Sequence, residues 1–395
     1  MRFFGILLLL PLGAQLAAQP PVHGRVVTPA DFADAIDPGA AAVMEQRAAR
    51  NIEALERAGV LIKPKDDGGT ADLQWPLKPV AGFDQFDYHG VSNFVDHDPR
   101  FPGFVQDYSC GTRTYDLDTG YNHAGTDYYL WPFAWLMMDQ GQIQVVAAAP
   151  GIIVDKADGN FDRNCAIGSS GDPNFVRVAQ DDGLSAIYLH MRLGSVTTLP
   201  IGTRVAAGDY LGLVGSSGSS SAPHMHFELR DNAGNVVDPR HGTCNDAPDR
   251  WAVFQPYEDP HIDSLSTHAA EPDQISCGFV GNTVYEDRPN YKNVFAPGET
   301  LWVFASYRDQ RNGEVTNYRI LRPDGSTFAQ WDFDMVSEGL GSPFYSGTAW
   351  DWQFWLPVGA PTGTWRVEAI FQGNDYVREF SVRRGAVQVR PPPVQ

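Results

Sequence analysis

The sequence has little positive charge. Against 48 Asp and Glu it sets only 29 Lys and Arg, which gives 395 residues a formal net charge of −19 at pH 7. Such a surface repels phosphate backbones and anionic lipid, so nucleic acid is not an expected partner. Cysteine is scarce as well. Cys110, Cys165, Cys244 and Cys277 include no C-x-x-C pair, which argues against a thiolate zinc site and a thioredoxin-like motif. No His-Glu dipeptide occurs, which excludes the H-E-x-x-H metalloprotease helix, and no G-x-S-x-G supplies a nucleophile elbow. Asp155 to Asp162 resembles a calcium loop only superficially, because counting back from Gly159 puts Val154 where the first carboxylate belongs. With 39 Gly and 29 Pro the chain stays below the ~25–30% of these residues found in low-complexity sequences, so wholesale disorder is excluded.

Aromatic residues make up 12% and charged residues only 19%, a turn-rich and mainly β composition. Arg2 followed by the apolar run Phe3 to Leu12 and Leu16-Ala17-Ala18 reads as a secretory signal over 1–18, too short to span a bilayer. No later stretch is apolar enough to cross one, and export to the periplasm or medium is expected. In an oxidising compartment four cysteines imply two disulfides. Pairing near neighbours along the chain gives Cys110–Cys165 and Cys244–Cys277.

The region 19–106 contains one helical pattern. Asp37 is its expected cap, Pro38 lies in the first turn, Gly59 closes it, and Met44, Ala48, Ile52 and Leu55 share a stripe. It reads either as a packed neighbour or as a pro-segment covering a cleft. Residues 63–71 read as an exposed loop. Between 107 and 250, short β patterns such as Phe175 to Val178, Ser185 to Leu189 and His226 to Leu229 are separated by Gly and Asp turns. They follow one another too closely for βαβ units, so an antiparallel domain is expected. Residues 251–275 read as a linker. Residues 276–385 hold about seven strands, among them the alternating Trp365, Val367, Ala369 and Phe371, and suggest an immunoglobulin-like sandwich. The tail 386–395 reads as disordered.

Chemistry concentrates in four histidines and an aspartate. His123 and Asp127 lie in Asn122-His123-Ala124-Gly125-Thr126-Asp127, and His190 ends a strand. His224 and His226 sit two apart in Pro223-His224-Met225-His226-Phe227-Glu228, hence on one sheet face. Imidazole and carboxylate are both good zinc ligands, and a hydrolytic site keeps three of them with an open position. Periodicity alone lets either His224 or His226 be the ligand.

This set resembles the lysostaphin/LytM-type zinc endopeptidases, a bacterial cell-wall peptidase family. The strand turn at Ala148-Ala149-Pro150-Gly151-Ile152-Ile153 and the stretch Gly202 to Gly218 carry the likeness further, and it covers about His123 to Leu229. The resemblance implies a zinc metallopeptidase domain at 107–250 that holds one Zn²⁺ with His123, Asp127 and His226. It also implies that His190 and His224 polarise the attacking water and stabilise the tetrahedral intermediate. The implied substrate is a peptide of bacterial peptidoglycan. Two other readings stand beside it: a non-catalytic hydrolase activator, and a protease of Gly-rich proteins. The sequence departs from the pattern in two insertions, Tyr128 to Gln144 and Lys156 to Pro173. Tyr128, Trp131 and Trp135 in the first read as packing or as substrate contacts, and Glu228 as a structural ion-pair partner or a support for the site. Gly215 to Ser221 reads as a mobile loop beside the site. A covering N-terminal region would lay His89, Asp96 or His97 near the open zinc position, and the C-terminal sandwich reads as an accessory module. Oligomeric state is open.

Overall fold

The computed structural model describes residues 23–36, 38–61, 72–169 and 171–385. The expected signal, the Asp37 cap, the loop at 63–71 and the tail 386–395 lie outside the described residues. The chain is mainly β, with antiparallel sheets, and none of the described helices is long and apolar enough to cross a membrane.

The sheet that positions the site has eight strands. His89–Asn93, Thr126–Leu130, His224–Arg230, Ser185–Leu189, Phe175–Gln180, Gly151–Ala157 and Arg204–Val205 follow one another across it, and Val236–Val237 pairs with His224–Arg230. Every pairing is antiparallel. Ser185–Leu189 is buried along its whole length, which explains why its sequence is almost continuously apolar. Tyr128, Trp131 and Trp135 are each at most 1% exposed and form part of the core, so the first insertion fills the interior. The helix Pro38–Arg57 lies against Gly151–Ala157 through Arg47, which donates to both carboxylate oxygens of the buried Asp155 at 2.8 and 2.9 Å.

The C-terminal region forms two sheets around a core containing Trp331, Trp352 and Trp365. Two strands of its four-stranded sheet come from outside 276–385. His261–His268 lies in the stretch read as a linker, and it pairs with Thr300–Arg311 while Ile262 and Leu265 enter the core. Its alternating Ser, Thr and His hid it, because both of its faces are covered. At the opposite edge His23–Val27 pairs with residues 347–351 of the strand Phe344–Trp355. The N-terminus is thus woven into the C-terminal sandwich.

The disulfides also differ from the expected pairing. They join Cys110 to Cys244 and Cys165 to Cys277. Long-range hydrogen bonds hold these segments together: the Cys244 amide donates to the Tyr108 carbonyl at 2.8 Å, and the Arg163 side chain donates through Nε to the Gly278 carbonyl at 3.1 Å. Proximity along the chain is a poor guide where sheets bring distant segments together. The second bridge ties the Lys156–Pro173 insertion to the C-terminal part of the chain.

The sandwich is no detached accessory. Phe304 and Ala349 of its four-stranded sheet belong to the same buried cluster as Trp131 and Phe133, and Phe304 stacks on Phe133 at 5.3 Å. Arg113 and Asp309, 5% and 6% exposed at their side chains, form an ion pair across the junction at 2.5 Å, and Arg113 also donates to the Tyr257 carbonyl. Replacing Asp309 by Ala leaves the guanidinium buried without its carboxylate. The expected loss is about 3–5 kcal/mol of stability, to be read from chemical denaturation of the full chain.

Candidate metal centre and cleft

The strand pairing assembles the centre. His226 lies directly opposite Asp127 on the neighbouring strand, so the two side chains leave the sheet on the same face. His224, two residues earlier, follows the same face. His123 enters from the loop before Asp127. His190 follows Leu189, itself the cross-strand partner of His226 on the other side, so a continued strand would send His190 to the far face. A left-handed backbone at His190, φ 63°, turns it back. All five expected residues come together, none more than 1% exposed.

Each imidazole is oriented by the nitrogen that faces away from the cluster. His123 Nδ1 donates to the Phe94 carbonyl at 2.7 Å, His190 Nδ1 to the Ser217 carbonyl at 2.7 Å, and His224 Nδ1 to the Ala222 carbonyl at 2.8 Å. His226 uses Nε2 instead, 3.3 Å from the Glu228 carboxylate, which Arg230 holds in turn. The inward nitrogens are therefore the ones left to meet a metal or a hydrogen-bond partner inside the cluster. His123 Nε2 lies 3.1 Å from Asp127 and 3.2 Å from His226 Nδ1, and His226 Nδ1 lies 3.1 Å from Asp127. His224 Nε2 is a buried polar atom with no hydrogen-bond partner. Two imidazole nitrogens and a carboxylate converging within 4.8 Å, beside an unsatisfied third imidazole, suit a divalent metal with nitrogen and oxygen ligands.

A residue that the sequence did not single out sits among them. Asp34, fully buried, places Oδ2 2.7 Å from His226 Nδ1, 2.9 Å from His190 Nε2 and 3.6 Å from His224 Nε2. It belongs geometrically to both groups of metal-ligating side chains. Burial opposes its ionisation, but the charge of His226 and the hydrogen bonds from His190 and His226 overcome this and hold its carboxyl well below the usual range. Its other oxygen, Oδ1, accepts from Tyr121 at 2.8 Å and Tyr115 at 2.9 Å. Burial and the Asp34 charge push both phenols well above their ordinary value, so they stay protonated. The stretch around Asp34 lies extended along the cleft wall. The Ala35 amide donates to the Ser219 carbonyl at 3.1 Å and the Ser221 amide to the Ala33 carbonyl at 3.0 Å. Phe32 stacks on Tyr129 at 4.4 Å. Gly215 to Ser221, expected as a mobile loop beside the site, is the rail to which this segment binds.

The side chains of His89, Asp96 and His97 are engaged away from the centre, although the Asp96 amide donates to the His123 carbonyl at 2.8 Å. His89 pairs with Asp87 at 3.0 Å, His97 with Asp238 at 2.9 Å, and Asp96 accepts backbone amides of Asp98 and Gln106. The covering residue lies earlier in the chain. Nothing in Ala33-Asp34-Ala35 marks it, since a single Asp among alanines has no ligand spacing.

The sequence model of Peptidase family M23 matches residues 133–239, a stretch with His190, His224 and His226 in it. This is an M23 domain of the lysostaphin/LytM type. His123 and Asp127 precede the matched stretch, and Asp127 lies opposite His226 in the strand pairing described above. The chain is 31% identical over 115 residues to the glycyl-glycine endopeptidase ALE-1 of Staphylococcus capitis, which is 29% of this chain and 26% of that protein. It is 31% identical over 123 residues to the DD-carboxypeptidase/endopeptidase Mpg of Neisseria meningitidis serogroup B, 31% of this chain and 23% of that one. The chain thus spans about a quarter of the length of either relative. Among solved structures, the catalytic domain of the prophage-encoded M23 protein EnpA from Enterococcus faecalis aligns at 24% identity and a TM-score of 0.25, over 44% of this chain and 96% of that one.

If Glu228 fixes the tautomer that turns the His226 Nδ1 lone pair inward, Glu228→Ala should weaken divalent-metal binding by about 10–100-fold. Competition against a chelating dye measures this directly.

Proposed function

We propose that the protein is an exported zinc metalloendopeptidase that hydrolyses peptide bonds of bacterial peptidoglycan, and that the form described is shut by its own N-terminal segment. The observation that carries the reading is the convergence of His123, Asp127 and His226 with the inward nitrogens of His190 and His224. The M23 match and the endopeptidase names of both relatives support it. In this reading His123, Asp127 and His226 hold one Zn²⁺. Bound there, zinc lowers the pKa of a water molecule towards ~7 and polarises a carbonyl. Once Asp34 has left, His190 and His224 would present their Nε2 atoms to the same space and take the proton of the attacking water, the part a glutamate plays in H-E-x-x-H enzymes. Their outer nitrogens are already committed to carbonyls, so each ring accepts that proton without turning. Two disulfides and the absence of a membrane-length apolar helix among the described residues are consistent with export.

Two experiments test this. In the first, alanine at His123, Asp127 or His226 should abolish stoichiometric zinc binding. Alanine at His190 or His224 should leave about one equivalent and lower kcat by about 10²–10⁴-fold. Zinc retained by all three ligand variants would rule the assignment out. In the second, Asp34→Ala should raise the rate of fragment release from purified peptidoglycan by about 10–100-fold, the factor for losing charged hydrogen bonds worth about 1.5–3 kcal/mol. Mass analysis of the fragments would identify the bond cut, and no gain in rate would overturn the shut-form reading.

A further inference from the structure

Eight of the ten tryptophans lie in or against the two buried cores, and Trp302 and Trp355 belong to neither. These two stand on adjacent strands of the four-stranded C-terminal sheet, Thr300–Arg311 and Phe344–Trp355. Register puts Trp302 opposite Gln353 and Thr300 opposite Trp355. Period two then sends these four side chains to one face, away from Leu301, Val303 and Phe354, which enter the sandwich core. The two tryptophans are diagonal neighbours, about 7–8 Å apart at the backbone and within reach of each other's rings. Trp355 is 62% exposed, Gln353 is exposed, and Trp302 and Thr300 are half-buried. Among the described residues, none of the four side chains has a hydrogen-bond partner or a ring contact.

This face continues an interface already described. Phe304, two residues along from Trp302 and on the same face, stacks on Phe133, and Ala349 shares that buried cluster. At ~3.4 Å per residue, Trp302 follows the junction by about 7 Å. The junction therefore holds the two indoles at a set place beside the peptidase sheet.

The chemistry of the face selects its ligand. None of the four residues is charged, and Glu299, next to Thr300, is paired with Lys292 at 2.7 Å. Asp351, further in on the same face, is only 7% exposed at its side chain and lies beside His23. Single-stranded nucleic acid also stacks on aromatics, but it needs Lys or Arg along its track, and the chain carries a net charge of −19. A protein partner or a second copy needs area. Even with Val358, 80% exposed and three residues past Trp355, the patch falls well short of the ~800 Å² that each partner buries in a stable interface. A sugar ring fits. Its C–H face lies flat on an indole, while amide, hydroxyl and indole N–H groups meet its hydroxyls and acetamido substituents.

Resting on the peptidase reading above, which sets the source of the sugar, we propose that Trp302, Trp355, Gln353 and Thr300 bind the N-acetylated sugar strand of peptidoglycan. Trp355 is the main stacking platform and Trp302 takes the neighbouring ring. Gln353, beside both, bonds to hydroxyl or acetamido groups. Because the junction fixes this sheet to the peptidase part, a strand held here keeps its pendant peptides at raised local concentration around that part.

The test uses the full-length chain and two probes, peptidoglycan strands stripped of peptide by an amidase and a glucose hexamer without acetamido groups. Affinity is read by calorimetry and by tryptophan fluorescence. Stripped strands should bind, and the glucose hexamer should bind more weakly. Trp355→Ala should lower affinity for the strands about 10-fold or more, and Gln353→Ala by a smaller factor. Trp355→Tyr, which keeps a ring to stack on, should hold most of the affinity. Both positions are exposed, so the denaturation midpoint of these variants should stay at the parental value. Strands that do not bind, or that bind Trp355→Ala and a Trp302→Ala, Trp355→Ala double variant as well as the parent, overturn the proposal. So does equal affinity for the glucose hexamer, and so does a dimer in sedimentation that Trp355→Ala abolishes, which would make a second copy the occupant. If stripped strands bind as expected while the zinc-loaded Asp34→Ala chain releases no fragments from peptidoglycan, the peptidase reading fails and the sugar site stands.

Discussion

Four imidazoles and two carboxylates share a space closed to water, and they do so because each imidazole is tethered from behind. Three backbone carbonyls and the Glu228 carboxylate take the outer N–H groups, so the rings cannot turn away and the inner nitrogens converge. Without those acceptors the rings would be free to choose tautomer and rotamer, and the centre would have no defined donor set. The acceptors belong to different parts of the chain. Phe94 directly follows the strand His89–Asn93, Ser217 lies on the serine-rich rail and Ala222 just beyond it, and Glu228 shares a strand with two of the histidines. The geometry of the centre is therefore a property of the whole sheet.

Much of this was legible in the sequence, for reasons that differ by residue. His224 and His226 are two apart on a strand, and period-two alternation puts them on one face without further information. Period two also carried the alternating strand ending at Phe371, while Ser185–Leu189 was expected as a short β pattern between turns, and both are observed. Choosing His226 over His224 as the ligand came from resemblance, and the structure adds a physical ground for it: His226 alone is opposite Asp127 in register. His190 is the case where alternation would mislead, because only its positive φ brings the ring to the site.

What stayed hidden has one common character. The strand His261–His268, the disulfide pairing, Asp34 and the two tyrosines are all fixed by contacts between segments far apart in sequence. Asp34 meets His190 across 156 positions and His23–Val27 meets residues 347–351 across more than 300, and no local pattern encodes either. A strand such as His261–His268, covered on both sides with polar side chains satisfied internally, does not alternate and so resembles a linker.

The weaving of His23–Val27 into the C-terminal sandwich also sets an order of events. Chains are made from the N-terminus, so the strand that anchors the Asp34 segment exists long before its partner at 347–351 does. Contacts of such sequence separation form late, after loop closure over most of the chain. The peptidase sheet, complete by about residue 237, can assemble around its histidines while the segment is still loose. The Asp34 segment is drawn over the cleft only when its partner strand at 347–351 has folded, so cover of the centre follows assembly of the C-terminal sheets.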